Sequence, residues 1–356
     1  MKEFIDLIKA YLNNEQLNTL DNDEALVKLA KEQSLQTLLY PVYNDKKYKS
    51  YYISGVIKQE KFYVLQDEIT KLFNNKNIKH IYFKGSILSK IYDDPSVRTR
   101  GDIDLYVDLH DYEKAKKVLE ENNYKIDDEN RECMHHICFK KYDVEIELHF
   151  NMFEADVNKC WRQLFKNPFD LCDNMDDSLY YFTTTYHFVY CLMHFAHHLY
   201  YGAGIRYILD FYYMLKKTSI DFELLHNILI KCKLSKLYSN VIIEIRKLFD
   251  VDFDNFVKSK DVSFFENYML SHGIHGHERT DKRNQTIHKH KLSYAITFVF
   301  LLDKNYKKTH YQKLCKWYFY PLCLIVHWLY LITHKFKGFI KLVFGKNKEL
   351  YKKIGI

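Results

Sequence analysis

The segment that most constrains this chain is residues 98–107, Arg-Thr-Arg-Gly-Asp-Ile-Asp-Leu-Tyr-Val, in which two aspartates alternate with apolar residues. This period-2 pattern predicts a half-buried β-strand. Such a strand places Asp102 and Asp104 on one face, roughly 6.5 Å apart at about 3.3 Å per residue. Two like charges on one face are unfavourable unless a cation lies between them or both are well solvated. The pair therefore predicts either an oxygen-ligated Mg²⁺ site that serves phosphate chemistry or a solvent-facing acidic strand.

The residues before this strand favour phosphate binding. Residues 80–84 are typical of a short apolar strand, Gly85 and Ser86 form a turn, and the next apolar residues have helical spacing. A helix that begins after such a turn presents unpaired N–H groups. Gly85 lets the backbone approach a ligand, and Ser86 can cap the helix or donate to a phosphate oxygen. A Gly-Ser turn after a strand, followed by Asp-x-Asp on the next strand, is more specific than either motif alone.

A third acidic strand follows at residues 143–150, Asp-Val-Glu-Ile-Glu-Leu-His-Phe. Glu145, Glu147 and His149 share its polar face, and residues 135–140 are typical of a preceding strand joined by a short turn. Such a hairpin brings one glutamate beside the Asp-x-Asp strand, and three carboxylates can hold two divalent ions. The alternation leaves open which glutamate is the ligand and which lies on a solvated outer face.

Four runs of the sequence together resemble a known family. They are Phe83-Lys-Gly-Ser-Ile-Leu, Ile91-Tyr-Asp-Asp-Pro-Ser-Val-Arg98, Gly101-Asp-Ile-Asp-Leu-Tyr-Val107 and Ile146-Glu-Leu-His149. They are similar to the uncharacterised nucleotidyltransferase family of the DNA polymerase beta-like superfamily. The strong resemblance covers about residues 80–150. A looser one extends to about residue 340 and includes His194, the run 205–210 and the run 272–276.

This resemblance implies an α+β fold, in which a small mixed β-sheet core of the polymerase beta type is embedded in a mostly helical chain. It implies Mg²⁺-dependent transfer of a nucleoside monophosphate from an NTP to an acceptor, with release of pyrophosphate. The match selects Glu147 over Glu145. Asp102, Asp104 and Glu147 would then be the catalytic carboxylates and bind two Mg²⁺ ions, with Mn²⁺ as a substitute.

This resemblance, together with the chemistry of phosphate binding, predicts four nucleotide-binding residues: Lys84, Gly85, Ser86 and Arg98. Two of these have plain structural alternatives. Lys84 could be a surface lysine at a strand end, and Arg98 could form a salt bridge with Asp102 or Asp104.

Four further residues are predicted to support the site from its surroundings: His149, His194, Arg206 and Asp210. Each has a competing interpretation. His194 belongs to a stripe with His187 and His198, for which we favour packing or surface exposure over zinc binding. Arg206 and Asp210 have the i, i+4 spacing of a salt bridge on one helix face.

Periodicity along the chain predicts three regions: an N-terminal helical region (1–75), a core of alternating strands and helices (76–155) and a C-terminal helical domain with a basic tail (156–356). The resemblance implies that the middle region is the nucleotidyltransferase core. The chain is 47% hydrophobic and 17% aromatic, which is ample for a packed core and excludes a disordered protein. Its eight cysteines include no Cys-x-x-Cys pair, so neither a zinc finger nor a disulfide framework is indicated. Reduced thiols predict a cytoplasmic protein.

The C-terminal end is strongly basic. Residues 304–356 carry a net charge of +11, although the whole chain carries only +7. An apolar run at 317–332 falls short of the roughly 20 residues that span a bilayer. This segment predicts either peripheral contact with an anionic membrane or nucleic acid, or a buried helix with a lysine-rich exposed end.

Two classes of function remain from the sequence. The first is an active nucleotidyltransferase that uses an NTP and an acceptor that is a nucleic acid, a protein, a sugar or a small molecule. The second is a catalytically inactive nucleotide-binding or assembly protein that keeps the fold. A binding-only protein would be expected to lose at least one metal carboxylate, and all three candidates are present, so the enzyme is favoured.

Overall fold

The computed structural model of the protein describes residues 2–18, 20, 22–127, 135–154, 157–199, 202–258, 260, 262–273 and 320–330. The strands are β1 (His80–Tyr82), β2 (Asp102–Val107), β3 (Lys125–Ile126), β4 (His136–Lys141), β5 (Val144–His149), β6 (Cys172–Asp176) and β7 (Leu179–Phe182). The helices are α1 (Lys2–Leu12), α2 (Glu24–Glu32), α3 (Leu39–Tyr43), α4 (Lys49–Asn74), α5 (Gly85–Ile91), α6 (Tyr112–Glu121), α7 (Lys159–Leu164), α8 (Thr184–His198), α9 (Arg206–Lys217), α10 (Phe222–Lys231), α11 (Ser235–Phe249), α12 (Ser263–His272) and α13 (Tyr320–Tyr330).

The strands form one mixed sheet in the order β3-β4-β5-β2-β1-β7-β6. The pairs β2–β5 and β1–β7 are parallel, and the other neighbours are antiparallel. The predicted α+β class, with a mixed sheet inside a largely helical chain, is confirmed. The sheet extends past residue 155, because β6 and β7 join it beside β1.

The predicted hairpin is formed by β4 and β5. Its turn consists of Tyr142 and Asp143, which have φ of 50° and 63°. Two positive φ values in a two-residue turn match the twist of an antiparallel pair. The turn sets the register that pairs His136 with His149, and β5 then runs parallel to β2.

The two faces of the central strands pack against different parts of the protein. Ile103 and Leu105 on β2, and Ile146 and Leu148 on β5, pack in an apolar cluster with residues of α4 and α6. The opposite face, which carries the acidic side chains, lies towards a second cluster that contains α8, α9 and α11. The alternation predicted the strand correctly, but β2 is central in the sheet and covered on both faces instead of half-buried.

Most of the predicted basic tail lies outside the described residues, as does the run 274–276. Within the tail the structure describes α13, on which Leu322, Ile325, Val326 and Leu329 are exposed. Among the described helices, none is long and apolar enough to cross a membrane.

Candidate active site

The register of β2 and β5 brings the predicted carboxylates together. Asp104 lies opposite Glu147, and Asp102 lies opposite Glu145. Since paired residues share a face, the carboxylates of β2 and β5 face the same side of the sheet. Asp104 is only 1% exposed, which excludes the solvent-facing acidic strand.

Lys84 approaches this cluster from the turn between β1 and α5. Its Nζ lies 2.6 Å from Asp104 Oδ1 and 3.8 Å from Glu147 Oε2. Burial lowers the pKa of Lys84, but Asp104, Tyr190 and Glu147 together raise that pKa well above its usual value. The alternative of a surface lysine is therefore excluded, and the ammonium group is a fixed positive charge in the site.

The backbone of Lys84 is strained. It has φ 49° and ψ −129°, a conformation that a residue with a Cβ rarely adopts. Its N–H donates to His187 Nε2 at 3.1 Å, and burial lowers the pKa of that histidine to about 4, so the ring is neutral and can accept. His187 thus holds the backbone that carries Lys84 into the site. Such support is needed because a strained backbone conformation persists only where the surrounding structure holds it.

Asp102 is a carboxyl group whose surroundings favour its protonated form. Burial, followed by the nearby carboxylates of Asp104 and Glu147, raises the pKa of Asp102 to about 7. Lys84 and Arg98 oppose this shift without cancelling it. A divalent cation beside Asp102 would relieve the repulsion among these oxygens, and oxygen donors suit Mg²⁺. The residues present therefore fit the metal that the sequence predicts.

Glu147, and not Glu145, is in contact with the rest of the cluster. Its Oε2 lies 3.1 Å from His149 Nε2, and its Oε1 lies 3.6 Å from His136 Nε2. Burial raises the pKa of Glu147, but the bond from His149 and the charge of Lys84 bring it well below its usual value. His149 is fully buried, and its Nε2 also lies 3.3 Å from Asp104 Oδ1. The ring links two of the three carboxylates.

A cavity of about 320 Å³ opens over this face of the sheet. Seven of the predicted site residues are on its wall: Lys84, Arg98, Asp102, Glu147, His194, Arg206 and Asp210. Asp104 and His149 lie behind the wall: Asp104 contacts Lys84, and His149 contacts Glu147. Residues far apart in sequence thus converge on one concave surface.

The Gly-Ser turn is packed more tightly than the sequence suggested. A Cβ on Gly85 would lie 3.1 Å from Arg98 Nη1 and 3.3 Å from Arg100 Cβ. The Ser86 N–H donates to Phe83 O at 3.2 Å. The Ser86 Oγ is buried and has no hydrogen-bond partner among the described residues. A side chain at this position would require the two arginines that pack against the turn to shift by a few tenths of an ångström.

Arg98 is held by an aspartate that the sequence did not pair with it. Its Nε and Nη2 donate to the two carboxylate oxygens of Asp210 at 3.0 and 2.9 Å, and Tyr92 Oη donates to the same carboxylate at 2.7 Å. The proposed salt bridges from Arg98 to Asp102 or Asp104, and from Arg206 to Asp210, are replaced by this buried group. Arg206 instead donates to Thr99 O at 2.9 Å.

The helix α8 contributes two histidines in different roles. His187 binds the Lys84 backbone, whereas His194 lies on the cavity wall and stacks on Tyr190. Burial, with smaller effects of Lys84 and His198, lowers the pKa of His194 well below its usual value. The histidine stripe of α8 thus packs within the protein and also borders the cavity.

The model of a family described as "Uncharacterised nucleotidyltransferase" matches residues 18–250, more than half of the chain. The chain belongs to this family. The matched region contains the whole sheet and the residues that surround the cavity. No curated protein and no solved structure matches the chain.

The sequence did not reveal that two further histidines, His136 and His187, belong to the candidate site. His136 lies opposite His149 in the hairpin, and counting outward from a two-residue turn at 142–143 would have paired them. His187 carried no such signal, since nothing in its spacing relates it to Lys84, 103 residues earlier.

Proposed function

We propose that this protein transfers a nucleoside monophosphate from an NTP to an acceptor hydroxyl, with Mg²⁺ as the cofactor and pyrophosphate as the second product. The observation that carries the proposal is the convergence of Asp102, Asp104 and Glu147 with Lys84 on one cavity wall or directly behind it. Bound Mg²⁺ would neutralise charge that develops on the triphosphate and orient the acceptor.

The residues of the site would have separate roles in this reaction. Asp102 and Asp104 would hold metal, and Glu147 would complete the second metal position and accept the proton of the acceptor hydroxyl. Lys84 would contact the phosphates while His149 keeps Asp104 and Glu147 in place, since its Nε2 lies within 3.3 Å of both. Most of the rate would then come from positioning and from charges arranged in advance.

The triphosphate would lie near the turn at Gly85 and Ser86 and under the arginines. The Ser86 Oγ is a donor without a partner among the described residues. Asp210 accepts from Nε and Nη2 of Arg98, and Nη1 donates to Thr99 O at 3.4 Å, so the second N–H of Nη1 is the one that would contact a phosphate. Arg206 lies on the same wall, and its buried Nε has no partner among the described residues. Arginine is suited to such contacts because its planar donors match phosphate oxygens.

Binding of a non-hydrolysable NTP analogue, measured by calorimetry with and without Mg²⁺, tests this site. We expect Mg²⁺-dependent binding that weakens by at least about tenfold, roughly 1.4 kcal/mol, in Asp102→Asn and Glu147→Gln. Glu145→Gln is the matched control, because Glu145 lies on the same strand face but not on the cavity wall. Equal, metal-independent binding in all variants would contradict the proposed site.

A further inference from the structure

The C-terminal helix α13 presents a row of apolar side chains to solvent. The helix has 11 residues, Tyr-Pro-Leu-Cys-Leu-Ile-Val-His-Trp-Leu-Tyr, and includes no lysine, arginine or acidic residue. Four of its aliphatic side chains have the spacing i, i+3, i+4 and i+7, which places them on one face. They are exposed by 47%, 49%, 38% and 59% at Leu322, Ile325, Val326 and Leu329. This exposure argues against a buried helix.

The sequence on both sides of α13 is strongly basic. Residues 304–356 contain twelve lysines and one acidic residue, Glu349. Lys316 is four residues before the helix and Lys335 is five residues after it. Chain length alone therefore keeps both lysines within roughly 18 Å of the helix ends. The segment follows residues 18–250, the region that the family model matches, so the family assignment does not account for it.

We propose that α13 and the lysines that flank it bind the surface of an anionic lipid membrane. With 11 residues, the helix is much shorter than the roughly 20 residues that cross a bilayer, so it would lie along the surface. Its aliphatic row would enter the boundary between headgroups and acyl chains, and the lysines would contact lipid phosphates. Residues 317–330 contain two of the chain's three tryptophans and three tyrosines. These rings are enriched at membrane–water interfaces.

Two other partners match these features less well than a membrane does. A second copy of the chain would bring two segments of charge +11 together, and like charges repel. Nucleic acid would attract the lysines, but its phosphates would leave the aliphatic row of α13 in water. An anionic membrane accommodates both features, because it offers negative headgroups and hydrocarbon at one surface.

The combination of charge and apolar surface predicts reversible binding that depends on salt. Each lysine close to an anionic membrane strengthens binding by about fivefold, and this effect falls off within a Debye length of about 8 Å at physiological ionic strength. Stable attachment to a membrane commonly takes two signals, so loss of either the charge or the apolar row should release the protein. Among the described residues, none on the wall of the candidate active site belongs to α13, and the inference therefore does not rest on the proposed function.

Flotation with lipid vesicles, without NTP, measures membrane binding of the full-length protein. We expect binding to vesicles of phosphatidylcholine and phosphatidylglycerol that weakens at least about tenfold at high salt or with phosphatidylcholine alone. Leu322→Ser/Leu329→Ser should also weaken binding at least about tenfold, because less apolar surface enters the lipid. Ile230→Ser/Phe256→Ser is the matched control, since these side chains are 71% and 85% exposed on other parts of the protein. The control variant should bind as the wild type does.

Quenching of tryptophan fluorescence by brominated lipid provides a second readout. We expect quenching in the wild type that decreases in Trp328→Phe, because Trp161 is only 9% exposed and packs in the apolar cluster with α8. Unquenched tryptophan, or vesicle binding that Leu322→Ser/Leu329→Ser leaves unchanged, overturns the proposal. A wild-type protein that binds nucleic acid or self-associates, but does not float with anionic vesicles, also overturns it. Nucleotidyl transfer by such a protein would leave the proposed function intact.

Discussion

At the scale of single residues, the buried group of Arg98, Asp210 and Tyr92 connects the candidate site to the helical part of the chain. Arg98 is 6% exposed and Asp210 is 3% exposed, so neither charge has much access to water. Burial lowers the pKa of Arg98, but the charge of Asp210, its hydrogen bond and nearby tyrosines together raise that pKa above its usual value. The loop before β2 is thereby attached to α9, so the strand that carries Asp102 and Asp104 begins at a fixed point.

A double-mutant cycle tests this connection. Arg98→Met or Asp210→Leu alone should lower the free energy of unfolding by about 3–5 kcal/mol, because each leaves the other charge buried without its partner. The double variant should lose less than the sum, since it leaves no uncompensated charge. Urea denaturation measures all four proteins. Additive losses would show that the two residues do not act as a pair.

The sequence could not reveal this pair. Arg98 and Asp210 are separated by 112 positions, and local spacing favoured Arg206 as the partner of Asp210. By contrast, Asp102, Asp104 and Glu147 could be found, because alternation places each on a strand face and the motif places each in a known order. Local periodicity predicts which face a side chain occupies, but it does not predict which distant charge that face meets.

At the scale of elements, some strands could be predicted from their sequence patterns and others could not. β2 and β5 are central and keep a continuous apolar face, so their alternation was clear. β6 is an edge strand whose residues are mostly exposed, and its sequence Cys-Asp-Asn-Met-Asp has no apolar face to detect. The predicted core therefore ended before two strands that the sheet contains.

The contact between α4 and the turn at Pro95–Val97 permits a prediction about Gly55. A Cβ at this position would lie 2.7 Å from Ser96 O and 2.8 Å from Thr37 Cγ2. Gly55→Ala should therefore destabilise the protein by about 1–3 kcal/mol through overpacking, although helix propensity alone favours alanine by about 1 kcal/mol.

Ser54→Ala is the matched control, since Ser54 is exposed on the same helix and its change should stay within about 0.5 kcal/mol. Thermal or urea unfolding compares the two variants. A Gly55→Ala protein as stable as the wild type would show that α4 does not pack closely on this turn.

At the scale of the whole molecule, buried neutral histidines make stability depend on pH. Burial lowers the pKa of His80 to about 4, and its Nδ1 donates to Ile78 O at 3.0 Å. The unfolded chain titrates this group near 6.5 and so binds more protons than the folded chain between the two values. The contribution of neutral His80 to the free energy of unfolding is therefore fully present above about pH 6.5. It decreases by about 3 kcal/mol as the pH falls towards 4.

His80→Phe should therefore flatten the dependence of the unfolding free energy on pH between 6.5 and 4, by at most about 1.4 kcal/mol per pH unit. The ring contacts Phe73 and Tyr82 edge-on, which a phenyl group can also do. Chemical denaturation at several pH values measures the slope. An unchanged slope in His80→Phe would show that the pKa of this histidine is not lowered in the folded protein.

The proposed reaction cleaves an NTP between the α- and β-phosphates. The most direct measurement incubates it with Mg²⁺ and pools of nucleic acid, protein and sugar acceptors, using NTP labelled in parallel at the α- or the γ-phosphate. We predict that α-label enters an acceptor, that γ-label leaves as pyrophosphate, and that Asp104→Ala abolishes both while Glu145→Gln does not. Transfer of γ-label to an acceptor would contradict the proposed reaction, and full α-label transfer by Asp104→Ala would contradict the proposed metal site.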